Sequence, residues 1–220
     1  MSAQVKLIGL TVPEEGLDLR NSADIIAYCA RVSNPANQSN KDTAGKLLSF
    51  LIKEGHWSPF EMVSLTMKIV STRDIIRQVL RHRSFSFQEF SQRYAEVTEF
   101  TSRPARLQDM KNRQNSVHTD DEALQKWWAD AQDDSTHIAE KIYREALAKG
   151  IAKEQARAVL PEGLAVSTVY MAGTLRSWIH YCQLRRGNGT QQEHIEIADK
   201  CWEILKERYP DVCEAAEYAT

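Results

Sequence analysis

The stretch "MVSLTMKIVSTRDIIRQVLRHR", residues 62–83, changes its hydrophobic period halfway along. From Met62 to Val70 aliphatic side chains alternate with polar ones, which is the period of a strand with one buried face. From Ile75 to Leu80 they recur on one face of a helix, and Gln78 and Arg81 lie three apart on a neighbouring face. A strand that runs directly into a helix predicts a sheet covered by helices, with a basic segment at the helix end.

The flanking sequence extends this pattern in both directions. Gln4 to Val12 predicts a first strand, and "ADIIAYCARVS" and "AGKLLSFLIKE" predict two helices, the first capped by Asn21 or Ser22 and the second ended by Gly55. The carboxy-terminal half is helical, with a helix end at Gly150 and a turn at "GNG", residues 187–189, and is interrupted by the β-branched run "AVSTVYM". Residues 98–121 are polar with weak periodicity and predict a long loop. The length of 220 residues predicts one domain over residues 1–220.

Composition excludes several classes of protein. Lys and Arg total 28 against 30 Asp and Glu, so no broad basic field for nucleic acid is expected. The apolar stretch Leu47–Ile52, with Ser49 inside it, is far too short for a membrane span. Four cysteines without a close pair, and no signal-like start, predict free thiols in a reducing cytoplasm. The histidine spacing predicts no metal site.

The segment "RHRSFSFQEFSQRY", residues 81–94, is locally basic and aromatic. Arg81, His82 and Arg83 would point apart on a regular helix, whereas a helix end or loop lets them converge on one target. Ser91, Gln92 and Arg93 combine hydroxyl, amide and guanidinium groups that suit a phosphate. Two interpretations stay open here, an exposed charged strand with core aromatics and an anion or nucleotide site.

Two further features carry similar alternatives. "HWSPFE", residues 56–61, fits a capping box from Ser58 to Glu61, so it predicts either a plain helix cap or an anion site with His56 beside it. Arg157 and Arg185 stand in apolar sequence, where a salt bridge to an acidic residue is the default expectation.

Five blocks in order resemble one enzyme family. Arg81-His82-Arg83, seven residues, then Ser91 resembles the signature of the flavin-dependent thymidylate synthases. "ARVS" ending at Ser33 and "HWSPFE" resemble the family's first two blocks, and "ARAVLP" and "LRSWIHYCQLR" its last two. The resemblance covers nearly the whole chain.

The resemblance implies a fold, a reaction and an assembly. The fold is α+β, with a central mostly antiparallel sheet flanked by helices and a helical carboxy-terminal half. The reaction is the reductive methylation of dUMP to dTMP, with methylenetetrahydrofolate as carbon donor and FAD, reduced by NADPH, as hydride donor. The assembly is a homotetramer whose active sites take residues from several subunits, with no membrane or nucleic-acid partner.

The resemblance also assigns residues. Arg185 would activate the uracil ring, since a guanidinium favours an ionised N3, and His56 would lie close to the flavin. The cofactor-binding residues would be Ser33, Ser58, Glu61, Arg81, His82, Arg83, Glu89, Thr174, Arg176 and His180. The substrate-binding residues would be Gln78, Val79, Leu80, Arg81, Glu89, Phe90, Ser91, Gln92, Arg93, Arg157 and Arg185.

The sequence departs from the family pattern at three of its positions. Many members have asparagine at the positions of Thr174 and His180, and a histidine near Gly189. Two alternatives remain beside the enzyme: a non-catalytic nucleotide or single-stranded nucleic-acid binding protein, and a family member that binds FAD and dUMP without turnover.

Overall fold

The computed structural model describes residues 3–187 and 189–218, and a four-stranded antiparallel sheet lies at its centre. The sheet consists of β1 (Gln4–Leu10), β2 (Ser64–Thr72), β3 (Ser86–Glu89) and β6 (Val166–Thr174), in the order β1-β2-β6-β3. The helices are α1 (Ser22–Ala30), α2 (Ala44–Lys53), α3 (Arg73–Val79), α4 (Glu122–Ala148), α5 (Lys153–Ala156), α6 (Leu175–Arg185), α7 (Gln192–Arg208) and α8 (Pro210–Tyr218). The predicted α+β fold with a helical carboxy-terminal half is confirmed.

Two strand-to-helix junctions set the geometry of the molecule. β2 pairs with β6 from Ser64 opposite Thr174 to Thr72 opposite Val166. α3 therefore begins at one end of this strand pair and α6 at the other. The strands are about 30 Å long and the two helices together are nearly as long. The carboxy-terminal ends of α3 and α6 consequently meet above the sheet.

The main core lies between the sheet and its helices. Leu65, Met67 and Ile69 on β2 are almost completely buried, as the alternating pattern predicted. Trp178 on α6 is also buried and donates from its indole nitrogen to the Leu65 carbonyl at 3.2 Å. This packing, with a hydrogen bond for the one polar atom of the indole, fixes α6 against the sheet.

A smaller apolar cluster lies beneath α4. It joins Val97, Tyr143, Ala156, Leu160 and Ala165. The backbone nitrogen of Val97 donates to the Tyr143 hydroxyl at 3.4 Å. The cluster thus ties the chain that follows β3 to α4 and to the α5 region.

Three local expectations need correction. Residues 98–121 contain a small hairpin of β4 (Arg106–Gln108) and β5 (Ser116–His118), whose three-residue strands are too short to show a period. α3 ends at Val79, so Arg81 lies beyond the helix rather than on its face. Ser58 makes no capping hydrogen bond, because the 3-10 turn Ser58–Glu61 is preceded by Trp57 at the cap position.

Other local expectations hold. The Asn21 side chain caps α1 by accepting from the Asp24 backbone nitrogen at 3.1 Å. Gly55 and Gly150 follow α2 and α4 with positive φ angles, as predicted for helix ends. Asn188, in the predicted "GNG" turn, lies outside the described residues. Across the described ranges, no helix is long and apolar enough to span a bilayer.

Candidate active site

The junction of α3 and α6 brings Arg185 against His82. The Nε of Arg185 donates to Nε2 of His82 at 2.8 Å. Because Nε2 accepts, the proton of this neutral imidazole resides on Nδ1. The bond uses Nε alone, which leaves the two terminal nitrogens of the guanidinium for other partners.

His82 stays neutral because of its surroundings. Burial, and then the positive charge of Arg185, lower the pKa of His82 from 6.5 to about 4. Its ring packs edge-on against Tyr181, with ring centroids 4.8 Å apart. Phe85, three residues after His82, is buried and packs against Trp178 with ring centroids 4.8 Å apart, so it anchors the basic segment in the core. The junction is thus a cationic centre in which no carboxylate of residues 3–187 or 189–218 pairs with His82.

Arg81 and Arg83 flank this centre and are exposed. Neither forms an ion pair with any residue in 3–187 or 189–218. Two such guanidinium groups, next to a half-buried histidine in the sequence, are suited to bind an anionic ligand.

A second group lies where the first turn of α6 meets the 3-10 turn that contains Ser58. Arg176 forms an ion pair with Glu61. The His180 ring lies edge-on to Trp57, with centroids 4.4 Å apart. Burial, and then Arg176, lower the pKa of His180 below its usual value. The Thr174 hydroxyl caps α6 by accepting from the Ser177 backbone nitrogen, so four of the predicted cofactor residues share this corner.

A third group lies at the last residue of β3 and in the chain that follows it. Glu89 contacts Arg73 at 3.4 Å and accepts from the Ser167 hydroxyl at 3.4 Å. Arg93 forms an ion pair with Glu154 at 3.2 Å, and Arg157 donates to the Glu154 carbonyl.

Gln92 and Arg157 line a cleft of about 370 Å³ together with Arg73 and Arg77. Gln92 is 4 % exposed, and its side-chain nitrogen has no hydrogen-bond partner within the described chain. Glu154 and Glu162 line the cleft as well, and Arg73 and Arg77 pair with Glu162. The buried Gln92 donor, without a partner in the described chain, and Arg157 therefore mark this cleft as a place for a ligand oxygen.

The predicted salt bridges of two arginines are wrong for this chain. Arg185 contacts a neutral histidine, and Arg157 contacts a backbone carbonyl. In the parts of the chain that the structure describes, neither has a carboxylate partner. Two guanidinium groups in apolar sequence are therefore left for ligands.

β3 separates the two halves of the predicted nucleotide site. Arg81 to Arg83 precede this strand, and Ser91 to Arg93 follow it. Three steps along a strand span about 10 Å. Within one subunit, therefore, the predicted phosphate group of Ser91, Arg93 and Arg157 is displaced from the Arg185–His82 pair.

The remaining predicted residues have mixed environments. His56 and Ser33 are exposed, and the His56 backbone nitrogen donates to the Leu51 carbonyl at 2.8 Å. Val79 is buried in the main core, whereas Leu80 and Phe90 are half-buried. Because the Val79 side chain is buried in the core, this residue can contact a ligand only through its backbone.

Several residues of the site were not predicted from the sequence. Trp57 packs against His180, and Tyr181 packs against His82. Gln191 and His194 form hydrogen bonds with Gln78. Tyr181 and His194 lie on two helices and meet only in the fold. The single available signal was His194, a histidine on the apolar face of an amphipathic helix.

A larger cavity of about 590 Å³ lies between the β4–β5 hairpin and the start of α4. Trp127 and Trp128 form one wall, and Arg103 and Arg106 contribute charge. Gln191 also lines it, so this cavity borders the hydrogen bonds around Gln78.

Comparison with known proteins places the chain among thymidylate-forming enzymes. The family model described as thymidylate synthase complementing protein matches residues 17–211. A probable flavin-dependent thymidylate synthase of Paramecium bursaria Chlorella virus 1 is 50% identical over 216 residues, covering 97% of this chain and 98% of that protein. A flavin-dependent thymidylate synthase of Synechocystis sp. is 50% identical, covering 97% and 99% respectively.

A solved structure shares the fold. The UMP/dUMP methylase PolB from Streptomyces cacaoi, bound with 5-Br dUMP, matches with a TM-score of 0.83. The match covers 99% of this chain and 95% of PolB at 24% sequence identity. At this identity, the likeness establishes the architecture alone.

Proposed function

The chain belongs to the flavin-dependent thymidylate synthase family, so it is a FAD-dependent enzyme that methylates dUMP, and we propose that methylenetetrahydrofolate supplies the carbon and NADPH the electrons. The single observation that carries this assignment to specific residues is the cationic centre at the α3–α6 junction. There, Arg185 is held by a neutral His82 between two unpaired arginines.

The residues present fit FAD. Arg81 and Arg83 provide two exposed guanidinium groups that form no ion pair within the part of the chain that the structure describes, and these suit a pyrophosphate. The corner of His180, Trp57 and Arg176 provides ring edges and charge beside them. When bound there, FAD supplies the hydride chemistry that no side chain of this protein can perform. The other cofactor-binding residues in this proposal are Ser33, Ser58, Glu61, His82, Glu89 and Thr174.

Arg185 acts on the substrate in this proposal. Its terminal nitrogens have no hydrogen-bond partner among the described residues, and the positive charge of the guanidinium lowers the cost of ionising N3 of the uracil ring. His82 contributes by holding the guanidinium plane without neutralising its charge, because a neutral imidazole accepts a hydrogen bond and adds no negative charge. His56 is exposed at the surface, where it can approach the flavin from the solvent side.

The phosphate of dUMP binds at the third group. Ser91, Arg93 and Arg157 bind it in this proposal, and the buried amide nitrogen of Gln92 lies in the same cleft as Arg157. Arg93 must exchange its ion pair with Glu154 for the phosphate, which costs little because the pair is exposed. Gln78, Arg81, Glu89, Phe90 and Arg185, with the backbone around Val79 and Leu80, complete the substrate site.

Each active site is shared between subunits of a homotetramer in this proposal. The separation of the phosphate group from Arg185 by β3 supports it, because a second subunit can bring the missing half. Residues 1–220 act as one domain, since the main core runs from Ala3 to Ala216.

A spectroscopic titration tests the proposal. Purified protein with FAD is followed anaerobically as NADPH is added with dUMP, and then as methylenetetrahydrofolate is added. We expect the flavin band to bleach, to return with the folate, and dTMP to form in step. Failure to bind FAD would overturn the proposal. Binding of FAD and dUMP without dTMP would instead indicate a non-catalytic family member.

A further inference from the structure

A chain of hydrogen bonds runs through Gln78 and crosses from α3 to α7. His194 Nδ1 lies 3.3 Å from the Gln78 side-chain oxygen, and the Gln78 nitrogen donates to the Gln191 oxygen at 2.8 Å. The Gln191 nitrogen donates to Glu193 at 2.9 Å. At the other end, the Tyr181 hydroxyl lies 3.0 Å from His194 Nε2.

The orientation of the Gln78 amide, with its oxygen towards His194, sets the direction of the other bonds in this chain. A carbonyl oxygen can only accept, so His194 Nδ1 carries the proton and donates to Gln78. Nε2 of the neutral ring must then accept, so the Tyr181 hydroxyl donates. All donors therefore point towards Glu193, which as a carboxylate can only accept.

Charge and burial maintain this direction. Burial raises the pKa of Glu193, but hydrogen bonds led by that from Arg106, at 2.5 Å, more than offset it, and the net pKa is lowered. His194 is 0 % exposed, and burial, followed by Arg185 and His82, lowers its pKa to about 3. Glu193 thus stays ionised and His194 neutral at neutral pH.

We propose that Glu193 and His194 are positioning residues that hold the Gln78 amide in one of its two orientations. A reversed amide would put its nitrogen against the His194 donor and its oxygen against the Gln191 oxygen. In the fixed orientation, Gln78 has one N–H and one oxygen lone pair left for the pyrimidine. This inference rests on the proposed function, in which Gln78 binds dUMP.

The variant His194→Phe interrupts the chain while it keeps a ring of similar size. We expect the Kd of dUMP for the FAD-bound protein, measured by calorimetry, to rise about five- to thirty-fold, as for loss of an oriented hydrogen bond. KM for dUMP should rise with it, while kcat changes less. A merely structural role would lower thermal stability without this division between KM and kcat.

A double-mutant cycle identifies the route of the effect. In a Gln78→Ala background, His194→Phe should change the Kd of dUMP by less than about twofold, since there is no amide left to orient. Equal effects of His194→Phe in both backgrounds would overturn the proposal. A wild-type Kd for dUMP in the single variant His194→Phe would also overturn it.

A second variant keeps the test decisive if His194→Phe does not fold. Glu193→Gln conserves volume but can donate as well as accept, so the direction of the chain is no longer fixed. The same double-mutant cycle with Gln78→Ala applies. Equal effects of Glu193→Gln on the Kd of dUMP in both backgrounds, or a wild-type Kd in the single variant, would overturn the proposal. Tyr209→Phe is the matched control, because it removes a buried hydrogen bond to Ser22 of 2.7 Å on other elements. It should lower stability and leave the Kd of dUMP unchanged.

These outcomes are distinguishable from failure of the proposed function. If the wild-type protein bleaches with NADPH and forms dTMP, the function stands whatever the cycle gives. If it forms no dTMP but binds dUMP, the cycle can still be measured by calorimetry.

Discussion

Arg185 donates its Nε hydrogen to Nε2 of His82 at 2.8 Å, so a permanent positive charge is held by a histidine that does not neutralise it. The two residues are 103 positions apart in the sequence. They meet because α3 and α6 start at opposite ends of the β2–β6 pair and run towards each other.

Substitution of Arg185 by alanine should retain flavin and lose most turnover. We expect kcat to fall about 10²- to 10³-fold, as for removal of one group that stabilises developing charge. The neighbouring Arg186→Ala is the control, since Arg186 pairs with Asp199 and lies over Trp202. Steady-state assays with FAD content measured in parallel check both. Retained activity would remove Arg185 from the activating role.

Substitution of Arg93 by alanine should weaken binding of the phosphate alone. The Kd of dUMP should rise about ten-fold or more, because a charge-assisted contact is lost, whereas the weak binding of deoxyuridine should not change. Arg144→Ala, which removes an exposed arginine from α4, is the control. Calorimetry with both ligands distinguishes the cases. An equal loss for both ligands would place Arg93 away from the phosphate.

Mixing two impaired variants should restore activity if sites are shared. When Arg93→Ala and Arg185→Ala subunits are co-expressed in equal amounts, about a quarter of two-subunit sites contain both native arginines. At dUMP concentrations well below the raised Kd of Arg93→Ala, dTMP formation should exceed the mean of the two variants assayed separately. No recovery in confirmed mixed oligomers would place both residues in one subunit's site.

Substitution of Gly173 by alanine should disturb the basic segment from beneath. A Cβ at this position would lie 2.4 Å from a ring carbon of Phe85, so the ring must move. We expect a loss of about 1–3 kcal/mol in unfolding free energy and weaker FAD binding. Gly163→Ala is the control, because nothing lies within 4 Å of its Cβ. Denaturant titration and flavin fluorescence measure the two effects; equal stability of the two variants would contradict the packing.

Stability should fall as the pH drops from 6.5 towards 4, in part because of His82. Its folded pKa is about 4 and its ordinary value 6.5, so in this window the unfolded chain binds a proton that the folded chain does not. The contribution is fully present above pH 6.5. The denaturation midpoint of His82→Gln should therefore depend less steeply on pH than that of the wild type. The control is His137→Gln, because His137 is exposed. If the denaturation midpoint depended on pH equally steeply in all three proteins, His82 would not be held neutral.

The sequence predicted the elements of the sheet and core well, because each has a local signal. Alternation over Met62 to Val70 gave β2, and Gly55 and Gly150 marked helix ends. The β4–β5 hairpin was missed because three-residue strands show no period. The end of α3 was placed too late, since tertiary contacts decide where a basic, helix-compatible segment leaves the helix.

For the site, the sequence supplied the residue types and the family motifs, and the fold supplied the partners. Arg185, His82 and Gln78 could be chosen from the sequence, but Tyr181, Gln191 and His194 could not, because their roles depend on contacts between α3, α6 and α7. Local period and motif order are properties of neighbouring residues, so the sequence alone determined them. Only the tertiary structure decided that Arg185 donates to His82 and that His82 stays neutral. Both depend on burial and on distances between residues far apart in the sequence.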